Sequence, residues 1–389
     1  MRLRFLSSLR FKIKDLFSLS DGLLWTLVCA CCLYGFVLIA SATHSFDSYK
    51  NLIIQIGAFV VGVIGILVIM AIDTENLSVL AKYLYILGIL LLIATLIFGT
   101  DRFGNKNWII IGPLSVQPSE FVKLIFIITF ATHLKAVHNF INTPRALIPL
   151  LLHAGLLMGL VLMQGDMGTA LVYLFIFIMM MAAAGLHWLY FLISGVVSVA
   201  AAPFIFEYLL KDYQKLRILA VYDPGIDPLG YGYQTLQSQT TLGSGGVFGS
   251  GLFKGVQTQY SILPAKQTDF IFAVAGEELG FFGVFIIIVL LVALLIRVLY
   301  IAKNATDDFG SYVAMGVAAM LFFQIAENIG MCIGIFPIIG ITLPFFSYGG
   351  SSMLASMLAM GIVMSVNSKR KIIGIFQSGR GDSRSYLDF

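Results

Sequence analysis

Long apolar runs separated by short polar breaks recur along almost the whole of this 389-residue chain. An α-helix needs about 20 mostly apolar residues to cross a bilayer. Runs near that length lie at 22–42, 52–72, 83–99, 121–134 and 146–163, and again at 168–186, 188–210, 270–300 and 312–329. A stretch from Met331, interrupted by Pro337, Gly340, Pro344, Gly349 and Gly350, ends in a further apolar run at 353–366. The pattern predicts an all-α polytopic membrane protein of about ten transmembrane helices. It forms one integral-membrane domain over 1–389, with tails at 1–21 and 367–389 and one long polar loop, 211–269, between helices 7 and 8.

Composition agrees, since 59% hydrophobic and 11% charged residues with a mean hydropathy of +0.94 describe no soluble domain of this length. Basic residues flank both ends: Arg2, Arg4, Arg10, Lys12 and Lys14 at the start, Lys369, Arg370, Lys371, Arg380 and Arg384 at the finish. Such residues are retained in the cytoplasm. Both termini are therefore expected inside, the first run is expected to act as a signal-anchor, and the 211–269 loop is expected outside. The chain carries no P-loop or dinucleotide fingerprint, so chemistry in that loop must draw on an activated substrate or a gradient.

Cys29, Cys31, Cys32 and Cys332 make no disulfide framework, and five scattered histidines show no zinc-ligand spacing. A weak divalent-cation site built on a carboxylate and a substrate phosphate stays open. Charged residues within apolar runs mark function by default. Glu120 and Lys123, spaced i, i+3, can pair as a structural salt bridge. Glu277 and Glu278 point about 100° apart on a helix, so at most one shares a face with Asp269. Glu327 precedes the broken stretch, which reads as a re-entrant wall of a groove, since irregular backbone at membrane depth must be buried or line a cavity. Asp269 itself has two readings: a carboxylate working on a lipid-borne substrate, or a helix N-cap. The long loop is slightly basic, with Lys211, Lys215, Arg217, Lys254 and Lys266 against Asp212, Asp223, Asp227 and Asp269. That suits an anionic head group such as a diphosphate.

Six motifs fall in a telling order: Gln117-Pro-Ser-Glu120 with Lys123; Asp166-Met-Gly-Thr-Ala170; Tyr213-Gln with Arg217; Gly232-Tyr-Gln234; Thr268-Asp-Phe-Ile-Phe272 with Glu277-Glu-Leu-Gly280; and Pro344-Phe-Phe-Ser-Tyr-Gly-Gly-Ser-Ser352. In these the chain resembles the SEDS (shape, elongation, division and sporulation) family, RodA/FtsW. The stretches 328–334 and 251–257 are more similar to the elongation-type branch than to the division type. The resemblance implies a peptidoglycan glycosyltransferase of the cytoplasmic (inner) membrane, which polymerises lipid II on the outer face with undecaprenyl diphosphate as the leaving group. Its implied partners are a single-pass class B penicillin-binding protein, membrane lipids and other elongation-complex proteins, with no nucleic acid.

The resemblance also implies that Asp269 is the essential carboxylate and general base. Arg217, Gln234, Lys266, Thr268, Glu277, Ser347 and Ser351 are the candidate substrate contacts, and Mg²⁺ or Mn²⁺ the candidate cation. Asn107 stands where relatives often carry arginine, Gly165 where proline usually precedes Asp166, and Ala265 and Gln267 where glutamate and histidine are common. The rival readings are a lipid II flippase gated by Glu120–Lys123, Glu327 and the broken helix, a division-type polymerase, and a structural scaffold.

Overall fold

The computed structural model describes residues 20–45, 49–72, 74–102, 105–112 and 114–382. The basic residues of the N-terminal tail and Arg384 lie outside this set. Thirteen α-helices carry the described chain: α1 Gly22–His44, α2 Lys50–Ala71, α3 Thr74–Phe98, α4 Pro118–Val137, α5 Pro144–Met163, α6 Met167–Ala183, α7 Trp188–Phe204, α8 Asp212–Tyr222, α9 Tyr231–Ser244, α10 Val256–Gln259, α11 Ile271–Lys303, α12 Asp308–Cys332 and α13 Gly350–Asp382. Nine helices among the described residues are long and apolar enough to cross a membrane, and the tenth apolar helix, α6, is shorter at 17 residues. At 1.5 Å per residue α6 still spans about 26 Å, near the thickness of a hydrocarbon core.

The helices differ in surroundings more than in composition. α13 and α12 are the most enclosed, with 83% and 67% of their apolar windows buried, whereas none of the α7 window is. Lipid solvates an apolar surface as well as protein does, so a helix with few protein contacts is stable in a bilayer. Pro203 removes a backbone donor near the end of α7, and the chain relaxes into one π-helical turn, Ile205–Leu209.

In three places the structure departs from the hydrophobic pattern. First, residues between α3 and α4 form a small antiparallel sheet, β1 Thr100–Arg102, β2 Asn105–Ile111 and β3 Leu114–Val116, so the fold is not purely α. Ile109 pairs with Val116 and Ile111 with Leu114, a β-branched and apolar set that suits strands. Second, the long polar segment is no open loop but carries α8, α9 and α10, with α9 fastened to the α12 end by Ser238 Oγ donating to Cys332 O at 3.0 Å.

Third, the apolar run at 270–300 is two helices, broken at Gly280, whose φ of +67° an L side chain rarely adopts. The first half, residues 271–279, is buried for all but its last residue. Its carbonyls must find donors, because a broken helix end in a membrane protein is tolerated only when satisfied by protein. The glycine-rich segment supplies them: Ser250 N donates to Glu277 O and Gly251 N to Glu278 O, both at 2.9 Å. In return Phe281 N donates to Gly246 O at 2.9 Å. A β-carbon on Gly249 would stand 2.2 Å from Glu278 O, and one on Gly245 would stand 1.9 Å from Gly276 O. The glycine density at 243–251 therefore serves close backbone approach to this break.

Candidate active site

The segment between α12 and α13, residues 333–349, has no regular structure and lies against the start of α11. Gly340 holds a φ of +77°, and a β-carbon there would stand 3.8 Å from Asp269 Oδ2. Tyr348 N donates to Gln267 O at 2.8 Å. The amide of Asn328, on α12, bridges the two walls: Nδ2 donates to Asp269 O at 2.9 Å and to Ile341 O at 2.8 Å. Asp269 is thus fixed through its backbone by neighbours on both sides. On its own side the N–H groups of Thr268, Asp269 and Phe270 all donate to Ala265 O at 3.1–3.3 Å. Phe270, not Asp269, is the N-cap of α11, and no side chain caps that helix. The N-cap reading of Asp269 is thereby excluded, and its carboxylate stays available.

Burial pushes the Asp269 carboxyl up from 3.8 to about 6, against the opposing effects of the Thr268 hydroxyl and the Arg217 guanidinium. A carboxylate so placed is ionised at neutral pH yet basic enough to accept a proton. Arg217, on α8, is held over the Tyr231 ring at 4.8 Å and the Tyr213 ring at 5.5 Å. Its Nε is buried and has no partner among the described residues. Stacking between two rings holds a guanidinium in place while leaving its N–H edges free for an anion.

The other expected contacts divide. Gln234, on α9, and Thr268 are half-buried, and Thr268 Oγ1 donates to Ala265 O. Ser347 Oγ accepts from Leu343 N at 2.8 Å and Ser351 Oγ from Gln117 N at 3.2 Å, so both hydroxyls brace the irregular wall. Lys266 and Glu277, expected at the substrate, are instead buried fasteners. Lys266 Nζ donates to Ser45 Oγ, Ser261 Oγ and Thr258 O. Burial lowers its ammonium pKa, against the pull of Glu278 and Glu277. Glu277 accepts from Gln257 N, Thr258 N and Thr258 Oγ1 at 2.6–3.0 Å, and Glu278 accepts from Gln259 Nε2 and Ser41 Oγ. Their protein bonds, which no sequence spacing signals, tie residues 257–259 to α11 and α1.

A second polar knot flanks the same wall. Asp166 caps α6 through Thr169 N and accepts from Thr169 Oγ1, Asn107 Nδ2 and Gln117 Nε2 at 2.7–2.9 Å. Glu120 and Lys123 form a buried ion pair at 2.7 Å. A β-carbon on Gly168 would stand 2.9 Å from Ile339 O, which places this knot behind the wall. Gly165 has a φ of +83°, a conformation closed to proline, and Ala265 turns at +47°. Among the described residues no three His, Cys, Asp or Glu side chains gather into a metal site.

A family model described as "Cell cycle protein" and covering FtsW, RodA and SpoVE matches residues 21–372. The chain belongs to the FtsW/RodA/SpoVE family. It is 36% identical to "Peptidoglycan glycosyltransferase MrdB" of Escherichia coli (strain K12), over 82% of this chain and 86% of that one. It is 37% identical to "Probable peptidoglycan glycosyltransferase FtsW" of Trichlorobacter lovleyi, over 90% and 94%. A solved chain from the work "Structural coordination of polymerization and crosslinking by a peptidoglycan synthase complex" superposes with a TM-score of 0.78 and 33% identity, over 90% of this chain and 98% of that one. As an FtsW/RodA/SpoVE protein the chain is similar over most of its length to proteins named peptidoglycan glycosyltransferases, and its fold brings the Arg217 guanidinium within electrostatic reach of the Asp269 carboxyl.

Proposed function

We infer that this multi-pass membrane protein is a peptidoglycan glycosyltransferase that polymerises lipid II, with Asp269 as its general base. The observation that carries the assignment is Asp269: pinned through its backbone, kept off the helix cap, and paired electrostatically with an arginine whose Nε is unengaged. In the reaction the 4-hydroxyl of an incoming GlcNAc attacks the anomeric carbon of the lipid-linked MurNAc. The hydroxyl proton passes to Asp269, the new C–O bond forms, and the diphosphate leaves with the bonding electron pair. General-base assistance of this kind contributes about 10²- to 10⁴-fold. Arg217 meets the charge that develops on the diphosphate, and a divalent cation, if carried by that diphosphate, would supply further positive charge there.

Sidedness follows the basic flanks: the Asp269 groove opens on the outer face of the cytoplasmic membrane, with both termini inside. The relatives' roles support a class B penicillin-binding protein as the crosslinking partner. The similarity of residues 328–334 and 251–257 to the elongation-type branch supports a role of that type. The purified complex with its class B partner, given lipid II and Mg²⁺ or Mn²⁺, is expected to yield muramidase-sensitive glycan ladders. Failure of the intact complex to extend lipid II with either cation would overturn the assignment.

A further inference from the structure

The irregular wall at 333–349 is also held from α2, by a residue outside every motif. α2 buries one stripe of residues, Gln55, Gly62, Ile66 and Met70. The lower part of that stripe lies on α13: a β-carbon on Gly62 would stand 2.7 Å from the Met357 side chain, and one on Gly361 would stand 3.0 Å from Ile66 Cα. Gln55 continues the stripe past the first residue of α13 and onto the wall. An amide buried in an apolar helix must satisfy both its ends within the protein. Gln55 is 0% exposed; its Nε2 donates to Ser347 O and its Oε1 accepts from Gly349 N, each at 3.0 Å. The Tyr348 N–H between those two groups donates to Gln267 O at 2.8 Å, the alternation of a strand edge. Gln267 opens the turn in which the N–H groups of Thr268, Asp269 and Phe270 donate to Ala265 O. Upstream, Phe345 is buried with a φ of +69°, and a β-carbon on Gly35 would stand 2.5 Å from Phe345 O. A strained turn of this kind persists only while its flanks are held, and Gln55 holds the downstream flank.

We propose that Gln55 is a positioning residue of the polymerisation reaction: its amide clasps residues 347–349 and, through the Tyr348 N–H, sets the place of the turn that carries Asp269. This rests on the assignment of Asp269 as base. Two side-chain amides then fix the base by way of the backbone, Asn328 at Asp269 O itself and Gln55 through Tyr348 and Gln267. With no exposed surface, Gln55 acts on the reaction only through these bonds. An apolar residue in its place leaves Ser347 O and Gly349 N–H without that partner, so the wall shifts to find others and the turn bonded to it shifts too. A displacement of about 1 Å at a catalytic group can cost about 10²-fold in rate.

The test is single-turnover polymerisation of lipid II by the complex with the class B partner, with lipid II binding measured in parallel, for wild type, Gln55→Met, Asp269→Asn and the double variant. Methionine nearly matches glutamine in length and suits the bilayer, but makes neither bond. Gln55→Met is expected to lose about ten- to a hundredfold in rate per folded complex, with binding within about twofold. In the Asp269→Asn background the same change is expected to cost less than about twofold, because its effect passes through the base. A rate within twofold of wild type in folded Gln55→Met, or losses that add fully in the double variant, would overturn the proposal. If Gln55→Met does not fold, Gln55→Asn, one carbon short of both backbone groups, takes its place under the same criteria. If neither folds, amide exchange of the wild-type complex decides: protection at Tyr348 and Gly349 but not at exposed Leu229 supports the clasp, and equally fast exchange at all three refutes it. A loss in Asp269→Asn that Gln55→Met does not share counts against the clasp alone, whereas equal rates in wild type and Asp269→Asn count against the base assignment.

Discussion

Residue by residue, function here depends on which polar groups are left unengaged. Arg217 Nε and both Glu327 carboxyl oxygens are buried with no hydrogen-bond partner among the described residues, and Asp269 meets the Thr268 hydroxyl and the Arg217 guanidinium, whereas Glu277, Glu278, Lys266 and Asp166 are bonded to their protein neighbours. Since burial raises Asp269 to about 6, the base is lost as pH falls through that value. Polymerisation is expected to drop about tenfold for each unit below about pH 6, read from initial rates of lipid II consumption. A rate flat down to pH 5 would show that another group sets the limb. For the Glu120–Lys123 pair, Glu120→Gln alone is expected to destabilise by about 3–5 kcal/mol, while Glu120→Gln with Lys123→Met together recovers most of that loss, measured by thermal unfolding in detergent. The i, i+3 spacing made that pair legible in the sequence. The bonds of Glu277 and Lys266 were not, because their partners lie at residues 257–261 and Ser45, and only the tertiary fold brings these together.

Among the elements, hydrophobic periodicity located the long apolar helices and also the irregular wall at 333–349, whose Pro and Gly interruptions mark it. It missed the break in α11, because Gly280 sits inside a run that is apolar on both sides, and one glycine alone is a weak signal. It also missed the sheet at 100–116, too short for its alternation to stand out, and the helices α8 and α9, whose polar faces resemble loop. The break makes a sharp prediction. Gly280→Ala meets both a φ of +67° and a β-carbon 2.4 Å from Gly249 N, so the variant is expected to lose folded yield in membranes, judged by monodisperse recovery after extraction. Ala at Gly159, which has open space around it and an ordinary helical backbone, is expected to be tolerated and serves as the control.

At the scale of the whole molecule, a buried core around α12 and α13 backs the irregular 333–349 wall, while no residue in the apolar window of α7 is buried. The groove is assembled from α8, the start of α11 and the 333–349 wall, segments far apart in sequence, and this is why motif spacing alone did not assign their contacts. If the groove faces the outside, cysteines introduced at Tyr222 and Leu229, both widely exposed, will react with an impermeant maleimide in intact cells. A cysteine at Lys303 will react only after permeabilisation, and the reverse pattern would invert the topology.

The most direct measurement of the central claim is the single-turnover rate of lipid II polymerisation by the partner-bound complex, wild type against Asp269→Asn, with lipid II binding measured in parallel. The account predicts a loss of about 10²- to 10⁴-fold in rate with binding retained; equal rates in the two proteins would remove Asp269 from the chemistry.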